Sequence, residues 1–152
     1  GYASKEVFKN ANYILIEHPV NQKECISFME RFVGTLGFKS VKIMSPQAHD
    51  EIISFTSQLP HAIAVSLINS DNEKYETGKY IGDSYRDLTR IANINENLWS
   101  ELFLRNSDYL LASIEAFEEQ LDLIKVALKD NDERLLKDLF IKSSLRREKL
   151  EK

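Results

Sequence analysis

The sequence predicts a mainly α-helical protein in which a short βαβ unit precedes a larger helical domain. Within the first 45 residues, two short apolar runs flank a segment with helical periodicity. Strand signals then end, and apolar residues recur at helical spacing almost to the C-terminus. We therefore expect a boundary between residues 45 and 46, with the end of an α/β domain in residues 1–45 and a helical domain over 46–152.

The composition is that of an ordinary globular protein. Of 152 residues, 43% are hydrophobic and 29% are charged, and the net charge is -4, which argues against a disordered chain. Charges of both signs are spread along the sequence, so no basic patch predicts nucleic-acid binding. No apolar run reaches the roughly 18 residues that span a membrane. With Cys25 as the only cysteine, we expect a buried, unreactive thiol in a cytoplasmic protein.

The first 45 residues contain a strand, a helix and a second strand. Residues 13–16 (YILI) are continuously apolar, which predicts a strand covered on both faces. Asn21 and Glu24 have the spacing of a capping box, and Gly37 is a predicted helix stop. Residues 41–44 (VKIM) predict a second strand, parallel to the first. One such unit leaves its sheet edges unpaired, so we expect it to belong to a larger α/β domain.

Ser45 and Pro46 begin the helical domain. Ser45 is a predicted N-cap, and Pro46 occupies the first helical position, where its missing N–H is harmless. The helical pattern continues to about Ile68. Pro60 interrupts it, because it has no N–H for the carbonyl of Thr56 and its ring crowds that carbonyl. We therefore expect a kink at Pro60.

Polar breaks separate the remaining helices. A loop is predicted over residues 70–82, helices over 84–92 and 98–105, and a last helix after a cap at 130–133. Between these, apolar residues alternate at spacings of four and three, as in a heptad seam. The seam residues are Leu110, Ile114, Phe117, Leu121, Ile124 and Leu128. The spacing leaves two interpretations open, packing inside the chain and an interface between two copies.

Ser57 and His61 are the first candidate binding residues. They lie four apart on one helix and so share a face. A kink at Pro60 would free a backbone carbonyl and open space for a ligand beside His61. The alternative is a histidine whose ring is satisfied within the core.

Arg86 and Arg90 are the second candidates, one helical turn apart in residues 85–92 (YRDLTRIA). A guanidinium binds a carboxylate through two parallel charge-assisted hydrogen bonds, so this pair suits an organic acid. The alternative is a solvated face on which Asp87 and Arg90 form a weak ion pair. Trp99, the only tryptophan, is a candidate wall for a ring-binding pocket or else a core anchor.

Metal and nucleotide sites are not predicted. No set of histidine, cysteine and carboxylate residues has metal-ligand spacing. Gly34 and Gly37 end a helix instead of opening one, which is the wrong context for a glycine-rich dinucleotide loop. No residue is therefore assigned to a metal or a cofactor.

Four motifs, in order, resemble the C-terminal part of prephenate dehydrogenases. Residues 45–50 (SPQAHD) resemble the family's SPEEHD, and residues 57–61 (SQLPH) its SHLPH. Residues 86–92 (RDLTRIA) are similar to RDxTRIA, and residues 97–106 to the MW…N stretch that follows. The likeness extends over residues 13–44 and, more loosely, the tail helices. It implies a helical dimerisation domain preceded by a βαβ remnant of a truncated Rossmann-like domain.

The resemblance also implies a function. Family members oxidise and decarboxylate prephenate to 4-hydroxyphenylpyruvate with NAD or NADP, in tyrosine biosynthesis, and form homodimers through the helical domain. By the motif matches, His61 would hold the ring end of the substrate with Ser57 nearby. Arg90 would clamp a substrate carboxylate, and Trp99 would line the same pocket.

The sequence departs from the family pattern in three places. Gln58 replaces the first histidine of SHLPH. Asp83 and Ser84 follow Gly82, where the family often has glycines in a segment that can approach the partner subunit's site. The glycine-rich cofactor loop and the HPMAG segment, whose histidine acts on the substrate hydroxyl, are absent from these 152 residues. We therefore expect a fragment that contains no catalytic residue, binds no nucleotide tightly and is inactive alone.

Two alternatives stay open. In the first, the substrate is arogenate instead of prephenate. This alternative stays open because the motifs do not distinguish an amino group from a keto group. In the second, the chain is a helical dimerisation or regulatory module without a catalytic role, in which case Arg90 and His61 are ordinary surface or core residues. Nucleic acid and membranes are not expected partners in either case.

Overall fold

In residues 5 to 150, which the computed structural model describes, a parallel βαβ unit is followed by six α-helices. Strand β1 (Asn12–Ile16) pairs in parallel with strand β2 (Ser40–Met44), and helix α1 (Lys23–Thr35) connects them. A short 3-10 turn, Lys5–Phe8, precedes β1. The predicted mainly α class and its leading βαβ unit are therefore confirmed.

The helical part begins immediately after β2. Its helices are α2 (Pro46–Ile53), α3 (Leu59–Asn69), α4 (Asp83–Thr89), α5 (Glu96–Arg105), α6 (Ser107–Lys129) and α7 (Glu133–Leu150). A π-helical turn, Ser54–Gln58, joins α2 to α3, and a 3-10 turn, Thr77–Lys79, lies in the loop before α4. Among these described helices, none is long and apolar enough to cross a membrane.

The chain divides into two compact units. The first ends at Asn106, and the second begins at Ser107 and contains α6 and α7. The boundary predicted between residues 45 and 46 stays a prediction.

The end of α1 is as predicted, but its start is not. The N-cap residue is Gln22, which makes no side-chain cap hydrogen bond. Asn21 instead donates its side-chain amide to the carbonyl of Ile16, at 3.3 Å. The predicted capping box is therefore wrong. The predicted stop is confirmed, because Gly37 follows the helix with φ of 91°, a conformation that favours glycine.

The βαβ unit is incompletely covered within the described residues. Ile14 and Ile43 are 36% and 41% exposed, and Val33 is the one buried residue of α1. The prediction of a strand covered on both faces is therefore wrong for this chain. Cys25 on α1 is also exposed, so the expectation of a buried thiol is wrong.

Ser45 and Pro46 begin α2 as predicted. The Ser45 hydroxyl oxygen accepts a hydrogen bond from the backbone N–H of Ala48, at 3.1 Å. This bond satisfies one of the N–H groups that have no partner at the start of a helix.

The predicted interruption at Pro60 takes the form of a wide turn. In the π-helical segment Ser54–Gln58, hydrogen bonds reach the fifth residue along, and the N–H of Leu59 donates to the carbonyl of Ser54. Pro60 has no N–H, and in a regular α-helix its ring would crowd the carbonyl of Thr56. One extra residue in the turn relieves that crowding. Such π-turns occur frequently at functional sites.

Helices α6 and α7 form a hairpin closed by residues 130–132. Asn131 has φ of 54°, and the N–H of Asp132 donates to the carbonyl of Ala127 at 2.8 Å, which ends α6. The Asp132 carboxylate then accepts from the N–H of Leu135 at 2.9 Å and caps α7. The predicted cap before the last helix is confirmed.

We predict opposite effects on stability for two glycine-to-alanine changes at the end of α1. Gly37→Ala should destabilise the protein by about 1 to 2 kcal/mol, because an L-residue there adopts a left-handed conformation. Gly34→Ala, inside the helix, should stabilise it by about 0.5 to 1 kcal/mol. An added methyl group meets nothing within 4 Å at either position, so only backbone conformation differs. Urea unfolding measures both, and equal effects would contradict the assignment.

Candidate functional site

His61 and Trp99, which separate sequence motifs supply, lie face to face. Their ring centroids are 3.6 Å apart and their planes meet at 28°. The ring of Phe103 contacts the indole edge-on, with centroids 5.7 Å apart and planes at 89°. Stacked and edge-to-face ring pairs both attract one another. The first turn of α3 and the first turn of α5 thus build one wall of half-buried rings, which we call the His61–Trp99 wall.

A hydrogen bond orients the imidazole of His61. Its Nδ1 lies 2.8 Å from the backbone carbonyl oxygen of Ser57. Because a carbonyl oxygen only accepts, Nδ1 carries the proton and donates it. Nε2 is then the ring nitrogen left for a ligand, and in the neutral imidazole it accepts a hydrogen bond. Ser57 therefore contacts His61 through the Ser57 backbone carbonyl oxygen.

A buried amide network ties the π-helical turn to α5. Gln58 is 5% exposed, and its Nε2 donates to the carbonyl of Leu102 at 3.1 Å. Its Oε1 accepts from Nδ2 of Asn106 at 2.8 Å, and the same Nδ2 donates to the carbonyl of Asp50 at 2.9 Å. Neither Gln58 nor Asn106 was predicted as a site residue. The sequence signal that could have identified Gln58 is an amide side chain directly beside the apolar face of a helix.

Arg86 lies on α4 and Arg90 directly after it, and α4 packs against α3, which carries His61. Arg90 is exposed, and among the described residues its guanidinium makes no hydrogen bond or ion pair. The alternative ion pair with Asp87 is therefore not formed in this structure. Arg86 donates from Nη2 to the carbonyl of Ile81, at 3.4 Å. Arg90 is thus a cation that an anionic ligand can reach, and no hydrogen bond connects it to the His61–Trp99 wall.

Hydrogen bonds to the Asp71 side chain stabilise the loop before α4. The hydrogen bond from the Thr77 side chain, and then the one from the backbone N–H of Glu73, hold the pKa of Asp71 below its usual value. Gly82 is the N-cap residue of α4. Asp83, which replaces a glycine of the family motif, occupies the first turn, where the helix dipole favours a negative charge.

The turns after the two strands do not fit a dinucleotide. Such turns use glycines to bring the backbone close to the pyrophosphate at a helix N-terminus. Here the first turn is residues 17–22 (EHPVNQ) and the second is Ser45 alone, and neither contains a glycine. In the described part of the chain, no three histidine, cysteine or carboxylate side chains gather as metal ligands would. No residue is therefore assigned to a cofactor or metal.

One family model and several known proteins are similar to this chain. The model described as prephenate dehydrogenase, dimerization domain, matches residues 45–142. The prephenate dehydrogenase of Bacillus subtilis (strain 168) is 29% identical over 135 residues, which cover 86% of this chain and 36% of that protein. The cyclohexadienyl dehydrogenase of Zymomonas mobilis is 27% identical over 143 residues, which cover 91% of this chain and 48% of that protein.

A solved structure has the same fold. The prephenate dehydrogenase of Aquifex aeolicus, crystallised with hydroxyphenyl propionate and NAD+, is 28% identical and superposes with a TM-score of 0.82. The match covers 97% of this chain and 53% of that chain. This chain therefore spans between about a third and a half of the length of these relatives.

We predict that the fluorescence of Trp99 depends on His61. His61→Ala should raise the indole emission, because a stacked imidazole quenches it, and Trp99 is the only tryptophan. His18→Ala is the matched control, because it removes an exposed histidine after β1 and should leave the emission unchanged. Steady-state fluorescence of the folded variants measures both, and equal emission in all three proteins would exclude the stack.

Proposed function

This chain belongs to the prephenate dehydrogenase family, and on that basis we propose that it forms the substrate-binding and dimerisation part of a prephenate dehydrogenase. The reaction is the oxidative decarboxylation of prephenate to 4-hydroxyphenylpyruvate with NAD or NADP. We place the enzyme in tyrosine biosynthesis and in the cytoplasm. The observation that carries the proposal is the His61–Trp99 wall, whose helix α3 packs against α4, the helix that ends at Arg90, which is unpaired among the described residues.

The proposed substrate has the shape and charge that these residues accommodate. Prephenate combines one small ring with two carboxylates. Arg90 binds one carboxylate through two parallel charge-assisted hydrogen bonds, and Arg86 adds positive charge one turn away. The stacked pair of His61 and Trp99 shields one side of the ring from water, and Nε2 of His61 accepts a hydrogen bond at its end.

These residues position the substrate, and the redox chemistry needs a second component. NAD or NADP accepts the hydride when bound, and we infer that it is held by the part of the relatives that this chain does not span, because neither turn after the strands fits a dinucleotide. Hydride transfer requires the two reactants to be held in register. The 152 residues alone should therefore bind prephenate without converting it.

Arogenate is the second candidate substrate. It has an amino group where prephenate has a keto group, and the two share the ring and the carboxylates. Arg90 and the His61–Trp99 wall contact shared groups, so they serve either substrate equally well. The other alternative, a helical module without a catalytic role, is less well supported, because relatives at 27 to 29% identity are dehydrogenases.

We further propose that the seam of α6 forms a homodimer. Leu110 is 4% exposed, which fits packing inside the chain. Phe117, Leu121 and Leu128 are 36%, 45% and 62% exposed, and a continuous apolar strip of this kind marks an interaction site. The matching family model is described as a dimerization domain, which supports a second copy of this chain as the partner.

Replacing Arg90 should weaken substrate binding selectively. In the enzyme that contains this chain, Arg90→Ala should raise the KM for prephenate about ten- to a hundredfold, because a hydrogen bond to a charged group contributes about 1.5 to 3 kcal/mol. The KM for the nucleotide should barely change. Arg105→Ala is the control, because it removes an exposed arginine whose partner is Glu101 on α5. Steady-state kinetics with prephenate and with arogenate also decide between the two substrates. An equal rise in both KM values would refute the carboxylate assignment.

Replacing Leu121 should separate the dimer. Leu121→Glu places a charge in the apolar strip, so sedimentation velocity should show a monomer where the unmodified protein is a dimer. Ala112→Glu is the matched control, because Ala112 lies nine residues away and therefore on the opposite side of α6, about two and a half turns along. An unmodified protein that sediments as a monomer would rule out the interface.

A further inference from the structure

We propose that Gln58 and Asn106 are positioning residues that hold the His61–Trp99 wall in register, an inference that rests on the substrate role proposed above. Gln58 is almost completely buried. Its amide makes two hydrogen bonds, one to the carbonyl of Leu102 and one with Asn106. Together these amides join α2 and the π-helical turn, which are consecutive in the sequence, to the end of α5, which is more than 40 residues away.

The hydrogen bond between Gln58 and Leu102 lies one helical turn from the ring stack on both sides. Gln58 precedes His61 by three residues, and Leu102 follows Trp99 by three residues. Residues three apart on a helix lie on the same face. The 3.1 Å bond therefore fixes the start of α3 against α5 beside the place where the two rings meet.

One acceptor of this network, the carbonyl of Leu102, has no partner within its own helix. Leu102 lies in the last turn of α5, whose carbonyls have no partner within the helix. Gln58 supplies that partner from another helix. Asn106, the C-cap residue of α5, uses its two amide hydrogens for Gln58 and for the carbonyl of Asp50. Buried networks of this kind rigidify a structure when every member is satisfied.

Only an amide side chain of this length performs both roles of Gln58. The amide donates through Nε2 and accepts through Oε1, whereas an ionised carboxylate only accepts. In its ionised form, the side chain of Gln58→Glu keeps nearly the same shape and the acceptor for Asn106, but it loses the donor to Leu102. The change tests the link to α5 without creating a cavity.

The experiment compares Gln58→Glu with Gln47→Glu, the same chemical change at an exposed position of α2. In the folded chain, Gln58→Glu should shift the emission of Trp99 towards that of His61→Ala, and Gln47→Glu should not. In the enzyme that contains this chain, Gln58→Glu should raise the KM for prephenate about tenfold without a matching rise in the KM for the nucleotide. Unaltered Trp99 emission in folded Gln58→Glu would overturn the proposal.

A double variant separates positioning from general destabilisation. If Gln58 acts through His61, adding Gln58→Glu to His61→Ala should raise the KM for prephenate by less than it does in the unmodified protein. Full additivity would overturn the proposal. Should Gln58→Glu fail to fold, as shown by far-ultraviolet circular dichroism, Asn106→Asp at the half-buried end of the network should shift the Trp99 emission in the same direction. Normal emission in folded Asn106→Asp would then overturn it.

The fluorescence result does not depend on the substrate. If Gln58→Glu shifts the Trp99 emission but the enzyme that contains this chain binds no prephenate in a calorimetric titration, the positioning role stands and the proposed function fails. If the emission is unchanged while Arg90→Ala raises the KM for prephenate as predicted, the function stands and the positioning role fails.

Discussion

The missing N–H of Pro60 is the constraint on which the arrangement of the site depends. A proline inside a helix removes a backbone hydrogen bond and crowds the carbonyl four residues earlier. The chain accommodates it with one π-helical turn, Ser54–Gln58, directly before α3. That turn contains the carbonyl of Ser57 that orients His61 and ends at Gln58, whose amide reaches α5. The accommodation of Pro60 and the binding geometry therefore arise from the same five residues.

In the proposed pocket, the strength of the interactions with a ligand depends on how much water reaches them. Arg90 is exposed, and an ion pair at a surface contributes little because water and salt screen it. The same guanidinium binds a carboxylate far more strongly where water is excluded. His61 and Trp99 are half-buried and provide one such water-excluding face. The proposed clamp therefore gains most of its strength when the remaining sides of the pocket are covered.

Incomplete burial recurs in both units of the chain. In residues 5 to 150, the buried apolar side chains are Val33, Leu59, Ala64, Leu110 and Ala127. Large apolar side chains on the sheet, on α1 and along α6 are instead exposed. The relatives are about two to three times as long, and the matching family model is described as a dimerization domain. Burial against a partner stabilises exposed apolar surface, and the same effect would stabilise the proposed dimer.

Local chemistry was enough for the sequence to determine several of the element ends. The Ser45 cap, the Gly37 stop and the Asp132 cap depend on residues within a few positions of one another, and four ordered motifs sufficed to indicate the family. The capping box was mispredicted because the Asn21 amide bonds the carbonyl of Ile16 instead. The exposure of Cys25 and the covered strand were mispredicted because both depend on what packs against the segment. Only the tertiary structure revealed the amide network, since Gln58 and Asn106 are 48 residues apart and no local pattern records a hydrogen bond between them.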